Sequence, residues 1–255
     1  MGSQRGIIIV HRRHFENRKL PEKSKIRCNE AQAMKPKVNY QLVLEKELEK
    51  IRREGRRPRL LLHGCCAPCS SYVLEYLAGL FDITLFYYNP NIAPREEYEH
   101  RASEAARLIR EMGVDVRLEV APYEPEEWRA AVRGLEGEPE GGKRCEACFR
   151  LRLKKAAEAA VAGGYDYFTT TLSISPLKDA QLLCAIGGEL SETFGVPYLY
   201  SDFKKRGGYQ RSIELSAVHH LYRQDYCGCV YSKAERERRK AAEDWKEGQA
   251  VMQNA

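Results

Sequence analysis

The stretch His63-Gly64-Cys65-Cys66-Ala67-Pro68-Cys69-Ser70-Ser71 places three cysteines within five residues. It follows the run Arg59-Leu60-Leu61-Leu62, which predicts a strand. It leads into residues 70–80, whose apolar positions have the i, i+3, i+4, i+7 spacing of a helix face. The thiols therefore occupy a strand-to-helix turn. In open α/β sheets such turns border the crevice that binds ligands, and a helix N-terminus stabilises anionic charge. We expect chemistry at this turn.

The rest of the chain alternates between strand and helix patterns. Further strands are predicted at residues 82–88, 114–120, 165–171 and 196–200, with helical segments between them. This alternation implies a mostly parallel sheet with helices on both faces and right-handed crossovers. We therefore predict a doubly wound α/β domain with a five-stranded sheet and a helical C-terminal extension.

The domain organisation follows from where this pattern begins and ends. Residues 1–36 have no sustained period, so we expect a flexible N-terminal extension there. Residues 37–232 form the predicted catalytic domain, and residues 233–255 a charged C-terminal helix and tail. A chain of 255 residues with 43% apolar content can bury a substantial core in one such domain.

Composition narrows the choice of compartment and partner. The net charge of +6 suits a polyanionic partner such as nucleic acid, although an excess of this size is common in ordinary proteins. No signal sequence opens the chain, and nothing approaches the roughly 18 apolar residues of a membrane span. We expect a cytoplasmic protein, in which clustered thiols more often bind metal or carry out redox chemistry than form structural disulfides.

Two cysteine pairs lie at predicted helix starts: Cys65 with Cys66, and Cys145 with Cys148. Four thiolates fit zinc or an iron–sulfur cluster equally well by number. Adjacent cysteines cannot readily chelate one small tetrahedral ion, but they can bind different irons of a larger cluster. We therefore favour a cluster over a structural zinc site or unligated thiols.

The remaining cysteines have other predicted roles. Cys69 could bind a second metal, act on the substrate, or remain an unpartnered thiol at the helix start. A disulfide within Cys227-Gly228-Cys229 would be strained and labile, which favours a redox pair, with metal ligation as the alternative. Cys184 lies in an apolar helix and is expected in the core, and His63 is expected to be a hydrogen-bonded buried residue rather than a ligand.

Basic residues collect after the last predicted strand. They are Lys204, Lys205 and Arg206, and, in the terminal helix, Lys233, Arg236, Arg238, Arg239 and Lys240. Both groups could contact phosphates, but the glutamates of the terminal helix equally suit an ordinary solvated surface.

Five motifs in order give the chain a specific resemblance to the QueH family of epoxyqueuosine reductases, over residues 39–232. The motifs are His63-Gly64-Cys65-Cys66-Ala67-Pro68-Cys69, Phe86-Tyr87-Tyr88-Asn89-Pro90-Asn91-Ile92, Arg144-Cys145-Glu146-Ala147-Cys148-Phe149-Arg150, Thr169-Thr170-Thr171-Leu172-Ser173-Ile174-Ser175-Pro176 and Tyr226-Cys227-Gly228-Cys229.

The resemblance implies the final step of queuosine biosynthesis, the reduction of epoxyqueuosine to queuosine at the wobble position of tRNA. It also implies a Rossmann-like fold, a [4Fe-4S] cluster and an adjacent second iron. The partners would be a tRNA that carries epoxyqueuosine and an electron donor that the sequence does not identify. We expect the cluster on Cys65, Cys66, Cys145 and Cys148. Catalytic roles then remain for Cys69, Cys227 and Cys229.

Some expectations concern the substrate itself. Weak candidates for protonating the departing oxygen are Lys178, Asp179 and Tyr88. Tyr87, Tyr88 and Tyr209 could stack on a base turned out of the anticodon loop.

Two other functions remain open from the residues alone. A cluster-dependent tRNA-thiolating enzyme would need a Gly- and Ser-rich phosphate loop after the first strand, where this chain has cysteines. A non-catalytic, zinc-stabilised RNA-binding module would need no redox pair.

Overall fold

The computed structural model describes residues 37–253, so the predicted extension at residues 1–36 lies outside the described residues. A short 3₁₀ helix, Thr171–Ile174, follows the last strand. The other elements, in chain order, are α1 (Tyr40–Glu54), β1 (Arg59–His63), α2 (Ala67–Leu77), β2 (Asp82–Tyr87), α3 (Arg95–Met112), β3 (Val116–Val120), α4 (Pro125–Ala131), α5 (Lys143–Gly163), β4 (Tyr167–Thr170), α6 (Ala180–Phe194), α7 (Gly208–Val218) and α8 (Val230–Gln253).

The sheet is parallel and has the order β3-β2-β1-β4. The chain moves outward from β1 through β2 to β3 and then crosses back to place β4 on the other side of β1. This reversal creates a switch point between the carboxyl ends of β1 and β4, where open α/β sheets bind their ligands. The Rossmann-like, doubly wound prediction is therefore confirmed.

The sheet has four strands among the described residues, so the predicted fifth strand at residues 196–200 is wrong. That segment pairs with β4 at one bridge only, between Phe168 and Tyr198. The ladder stops because the Thr169 hydroxyl donates to the carbonyl of Leu199, and because the backbone turns into the 3₁₀ helix from Thr171.

Helices cover both faces of the sheet, as the alternation of side chains along each strand requires. On β1, Leu60 and Leu62 pack in a cluster with residues of the first three helices. Leu61, between them, belongs to a second cluster with residues of α5 and α6. Each face of the central strand is thus apolar and covered, which explains the uninterrupted leucine run in the sequence.

The terminal helix is attached to the domain by a buried ion pair. Glu235 of α8 lies 2.8 Å from the guanidinium of Arg144 at the start of α5. None of the helices within residues 37–253 combines the length and the apolar character that crossing a lipid bilayer requires.

Candidate metal centre

Three thiols converge at the turn between β1 and α2. The sulfur atoms of Cys65, Cys66 and Cys69 all lie within 4.8 Å of one another, and those of Cys65 and Cys66 are 3.8 Å apart. Cys66 has extended backbone and precedes the first residue of α2, and Pro68 fits in the first helical turn because no intrahelical partner exists there for its missing N–H. The turn therefore points three adjacent, reduced thiols at one small volume.

The three thiols share negative charge unequally. Hydrogen bonds from the thiols of Cys66 and Cys69 lower the pKa of Cys65 well below its usual range, and the guanidinium of Arg152 acts in the same direction. The hydrogen bond to Cys65 raises the pKa of Cys66 to about 12. Without a metal the group thus favours one thiolate, and a bound cation is what would allow further thiols to ionise.

A second group of four cysteines lines a pocket at the start of α5. Cys145 and Cys148 are one helical turn apart, and Cys227 and Cys229 from the loop before α8 complete the group. Cys145 accepts a hydrogen bond from the backbone N–H of Gly141 at 3.2 Å. The sequence alone did not indicate that these two pairs share one pocket.

Asn89 and Arg152 connect the two cysteine groups. The Asn89 amide donates to the carbonyl of Gly64, next to Cys65, at 2.9 Å. Its oxygen accepts from the guanidinium of Arg152, and Nη1 of Arg152 lies 4.0 Å from the sulfur of Cys148. These contacts fix the first cysteine turn relative to α5.

Lys178 is a further cation of this region. It lines the pocket that holds Cys145, Cys148, Cys227 and Cys229. Burial disfavours its charged form, but the negative charges of Cys227, Cys65 and Cys69 outweigh this cost and raise the pKa of Lys178. The negative charges of both cysteine groups therefore act on Lys178.

The sulfur atoms of Cys227 and Cys229 lie 3.5 Å apart as free thiols. A hydrogen bond from Cys229, aided by the charge of Lys178, lowers the pKa of Cys227 well below its usual range. Ser232 places its hydroxyl 3.0 Å from the Cys227 sulfur and donates its backbone N–H to that of Cys229 at 3.3 Å. The pair is close enough to form a disulfide after a modest movement.

The backbone between these two thiols is held tightly. Gly228 has a φ of 109°, and a Cβ there would lie 2.8 Å from Ile92 and 3.0 Å from Arg101. The Gly228 carbonyl accepts from the N–H of Ala93 at 3.0 Å, and the guanidinium of Arg101 donates to the carbonyl of Cys227 at 3.3 Å. We call residues 226–229 the CGC loop.

Two expectations about individual residues hold. His63 is fully buried; its Nδ1 lies 2.8 Å from the Thr170 hydroxyl, and its Nε2 lies 3.1 Å from the Tyr88 carbonyl. Because a carbonyl only accepts, Nε2 carries the proton, and burial lowers the pKa of His63 to about 3. Cys184 is buried in the apolar core, as predicted.

The predicted base-stacking role fails for two of its three tyrosines. Tyr87 is fully buried, and its hydroxyl donates to the carbonyl of Tyr98. Tyr88 is also buried, and its hydroxyl donates to the carboxylate of Glu127. Tyr209 is 36% exposed and remains available.

The predicted proton donors have different surroundings. Lys178 and Asp179 line the pocket, although Asp179 also caps α6 by accepting from the backbone N–H of Gln181 at 2.8 Å. The hydroxyl of Tyr88 already donates its proton in a hydrogen bond to Glu127. Among these candidates, Lys178 is half-buried in the pocket, and the negative charge of the nearby thiols raises its pKa, so it is protonated at neutral pH.

Acidic neighbours neutralise part of the basic surface. Lys204 pairs with Asp202 at 2.8 Å, and Arg206 pairs with Glu45 at 3.0 Å. Lys205 is exposed. In α8, Arg236 pairs with Asp225 and Glu243, and Arg239 pairs with Glu235.

Several residues of the site were missed from the sequence: Asn89, Arg101, Trp128, Glu140 and Arg152. Asn89 carried a usable signal, because it follows β2 at the same sheet edge as the cysteines. Arg152 lies one turn after Cys148 on α5. Trp128 and Glu140 line the pocket from segments that no local pattern connected to it.

Comparison with known proteins gives a family match and several relatives of high identity. The family model for epoxyqueuosine reductase QueH matches residues 60–235. The chain is 45% identical over 202 residues to the epoxyqueuosine reductase QueH of Staphylococcus epidermidis, covering 77% of this chain and 85% of that one. It is 45% identical over 200 residues to the protein of the same name from Streptococcus pyogenes, covering 77% and 78%. For that of Haemophilus influenzae, identity is 39% over 213 residues, covering 78% and 85%.

Among solved structures, the U34-tRNA thiolase NcsA from Methanococcus maripaludis with its [4Fe-4S] cluster gives a TM-score of 0.44 at 12% identity, covering 79% of this chain and 75% of that one. A similarity this distant supports no conclusion about function. The family match and the identities to its members do, and they show that the chain belongs to the QueH family of epoxyqueuosine reductases.

Proposed function

We propose that this chain is an oxidoreductase that reduces epoxyqueuosine to queuosine at the wobble position of tRNA, the final step of queuosine biosynthesis. The observation that carries the proposal is the identity of 45% over 202 residues to a named epoxyqueuosine reductase. The family model matches residues 60–235, which include all seven cysteines of the two groups. A tRNA-thiolating enzyme is not favoured, because the turn after β1 carries cysteines in place of a phosphate loop.

The donor set suits an iron–sulfur group. We propose that Cys65, Cys66, Cys145 and Cys148 hold a [4Fe-4S] cluster and that Cys69, which lies within 4.8 Å of the first two sulfurs, is a ligand for an adjacent second iron or acts on the substrate. Thiols suit iron–sulfur ligation, and the buried Arg152 and the half-buried Lys178 compensate the negative charge. When bound, such a cluster supplies electrons one at a time.

The CGC loop supports the electron balance of the reaction. Removing the epoxide oxygen as water leaves an alkene and consumes two electrons and two protons. Oxidation of the Cys227 and Cys229 thiols to a disulfide releases two electrons and two protons, so one turnover can be balanced by this pair. An external donor, which remains unidentified, would then return the disulfide to the dithiol.

Lys178 is the proposed proton donor to the departing oxygen. Its ammonium group lines the same pocket as the CGC thiols and is protonated at neutral pH because their negative charge raises its pKa. A cation in a water-poor pocket also stabilises negative charge that develops on oxygen. Lys178→Met should therefore lower turnover more than it lowers tRNA affinity.

The tRNA would be bound in the cytoplasm by residues 37–232 and the charged segment 233–255, with residues 1–36 as an extension outside this catalytic domain. Lys205, Arg238 and Lys240 are exposed and form no ion pair among the described side chains, so they are the best-placed phosphate contacts. Affinity for tRNA should fall steeply with salt, with a shallower slope in a variant that replaces these three by alanine.

The decisive experiment is an anaerobic assay on tRNA that carries epoxyqueuosine, combined with iron and sulfide analysis. The wild type should convert the nucleoside and contain iron. Cys65→Ala and Cys145→Ala should lose iron and activity together, whereas Cys184→Ala, a change at a buried cysteine of the core, should keep its iron.

Each outcome has a distinct meaning. Full iron retention in Cys145→Ala would refute the assignment of Cys145 as a ligand without contradicting the proposed reaction. A loaded wild type that leaves the nucleoside unchanged with a strong artificial reductant would exclude the reductase function. A colourless protein that contains only zinc would favour the RNA-binding module.

A further inference from the structure

The pocket beside the second cysteine group contains buried N–H groups that have no acceptor. Nε1 of Trp128, Nε of Arg144 and Nε of Arg152 each lack a hydrogen-bond partner within the described part of the chain. All three residues line this one pocket, and their exposed fractions are 5%, 2% and 3%. A buried donor without an acceptor costs about 1–3 kcal/mol, so three around one cavity require an explanation.

The other donors of the two arginines are occupied. Arg144 uses its Nη atoms on the carboxylate of Glu235 and on backbone carbonyls. Arg152 uses one Nη atom on Asn89, and the other lies 4.0 Å from the sulfur of Cys148. The side chains are therefore fixed, and in the part of the chain that the structure describes their Nε atoms have no hydrogen-bond partner.

Trp128 lies beside the same cysteine. Its ring packs with Cys148 and Cys229 in one apolar cluster. Arg152 reaches the same cysteine from α5, with its Nη1 at 4.0 Å from the sulfur. Two residues with unpartnered N–H groups, one on α4 and one on α5, thus lie beside Cys148.

The kind of group that these donors suit follows from their chemistry. A zinc ion held by thiolates offers only its ligand sulfurs as acceptors. An iron–sulfur cluster brings sulfide and thiolate sulfurs that carry negative charge and accept N–H hydrogen bonds. The free donors therefore match an anionic group with acceptor atoms.

We propose that Trp128, Arg144 and Arg152 are positioning residues whose free N–H groups donate to sulfur atoms of the cluster and raise its reduction potential. This inference rests on the proposed cluster. Reduction adds negative charge to the cluster, so a donor stabilises the reduced form more than the oxidised form. Removing a donor should then make the cluster harder to reduce.

Trp128 is the suitable residue for the test, because both arginines also hold the fold through their Nη atoms. Trp128→Phe removes the N–H and keeps an aromatic ring. The chain offers a matched control: its other tryptophan, Trp245, is 70% exposed on α8, so Trp245→Phe should change nothing. The measurement is the midpoint potential of the cluster, by dithionite titration without tRNA, together with iron per chain.

We expect Trp128→Phe to retain its iron and to lower the equilibrium constant for one-electron reduction about tenfold, which corresponds to a midpoint about 59 mV more negative. An unchanged midpoint at full iron content would overturn the inference and leave the reductase function untouched. That result would mean that water satisfies the indole. A wild type without any iron–sulfur spectrum would overturn the cluster assignment itself.

A second variant covers the case in which Trp128→Phe does not load iron. Benzothienylalanine has sulfur in place of the indole N–H and the same ring shape. Incorporated in the Trp245→Phe background, it replaces Trp128 alone. The same negative shift of the midpoint is expected, and a midpoint equal to that of the Trp245→Phe protein would refute the role of this N–H group.

Discussion

Replacing Asn89 by alanine should destabilise the metal-free protein more than the loss of a few side-chain atoms would, because the side chain makes two buried hydrogen bonds. Asn89 is fully buried and makes two hydrogen bonds, one to the Gly64 carbonyl at 2.9 Å and one from the guanidinium of Arg152. A neutral hydrogen bond contributes about 1 kcal/mol, and one to a charged group about 1.5–3 kcal/mol. Asn89→Ala should therefore lower the free energy of unfolding by about 2.5–4 kcal/mol.

The chain provides a matched control two residues away. Asn91 is also buried, but its side-chain oxygen has no hydrogen-bond partner within residues 37–253. Asn91→Ala removes the same atoms without breaking the connection between the two cysteine groups. We expect its cost to stay below about 1 kcal/mol, since the lost packing is small and an unsatisfied polar atom is removed as well.

The assay is urea unfolding of both variants, followed by circular dichroism under reducing conditions after chelation of metal. Chelation is needed because a bound metal would add its own binding free energy to the stability. The midpoint of thermal unfolding should fall by about 5–15 °C for Asn89→Ala. If both variants unfold at the same urea concentration with the same slope, Asn89 does not connect the cysteine groups as we describe.

Two further predictions concern the CGC loop and the surface of α3. Gly228→Ala should destabilise the protein by more than about 1 kcal/mol and change the alkylation rates of the flanking cysteines, because its Cβ would meet Ile92 at 2.8 Å. Gly207→Ala is the control, since Gly207 also has a positive φ but has open space around it, and it should destabilise the protein less. Equal losses of stability in the two variants would contradict this prediction. The Arg107 guanidinium lowers the pKa of Glu104 to about 2, so this pair contributes stability above pH 4.5 that is lost as pH falls towards 2. Glu104→Gln should cost on the order of 1 kcal/mol at pH 7 and nothing near pH 2, and a cost independent of pH would refute the assignment.

The turn that carries the first three cysteines was predictable because local rules decide it. The leucine run gives β1, the apolar spacing gives α2, and the span of only five residues from Cys65 to Cys69 leaves the thiols no room to separate. The fifth strand was not predictable in this way. Residues 196–200 have strand composition, but the partner they need, β4, turns away after Thr170.

The second cysteine group shows where sequence reasoning stops. Cys145 and Cys148 share a helix face by spacing, but their proximity to the CGC loop depends on how α8 packs, which the Arg144–Glu235 ion pair and neighbouring contacts determine. Arg101 is different, since its signal was present. It lies three residues after Tyr98 and four before Ala105 on the buried face of α3. Because most Arg and Glu residues of this helix lie on its solvated face, the sequence pattern favoured a solvated position for Arg101 as well.

The charges around the cysteines form a consistent pattern. Arg101 and Arg144 are buried, but each has a carboxylate partner, Glu97 at 2.6 Å and Glu235 at 2.8 Å. Arg152 is equally buried and takes part in none of the ion pairs of the described residues; its polar contacts are Asn89 and Cys148.

A buried guanidinium without a carboxylate is costly unless another anion balances it. The guanidinium of Arg152 lowers the pKa of the thiols of Cys65 and Cys148, and the negative charge of Cys65 also acts on Lys178. Arg152 therefore makes sense as a permanent counter-ion for thiolates. In the proposed metal centre, thiolate ligands and the electrons added on reduction would both increase the negative charge that Arg152 stabilises, so the same residue would favour assembly of the centre and its reduced state.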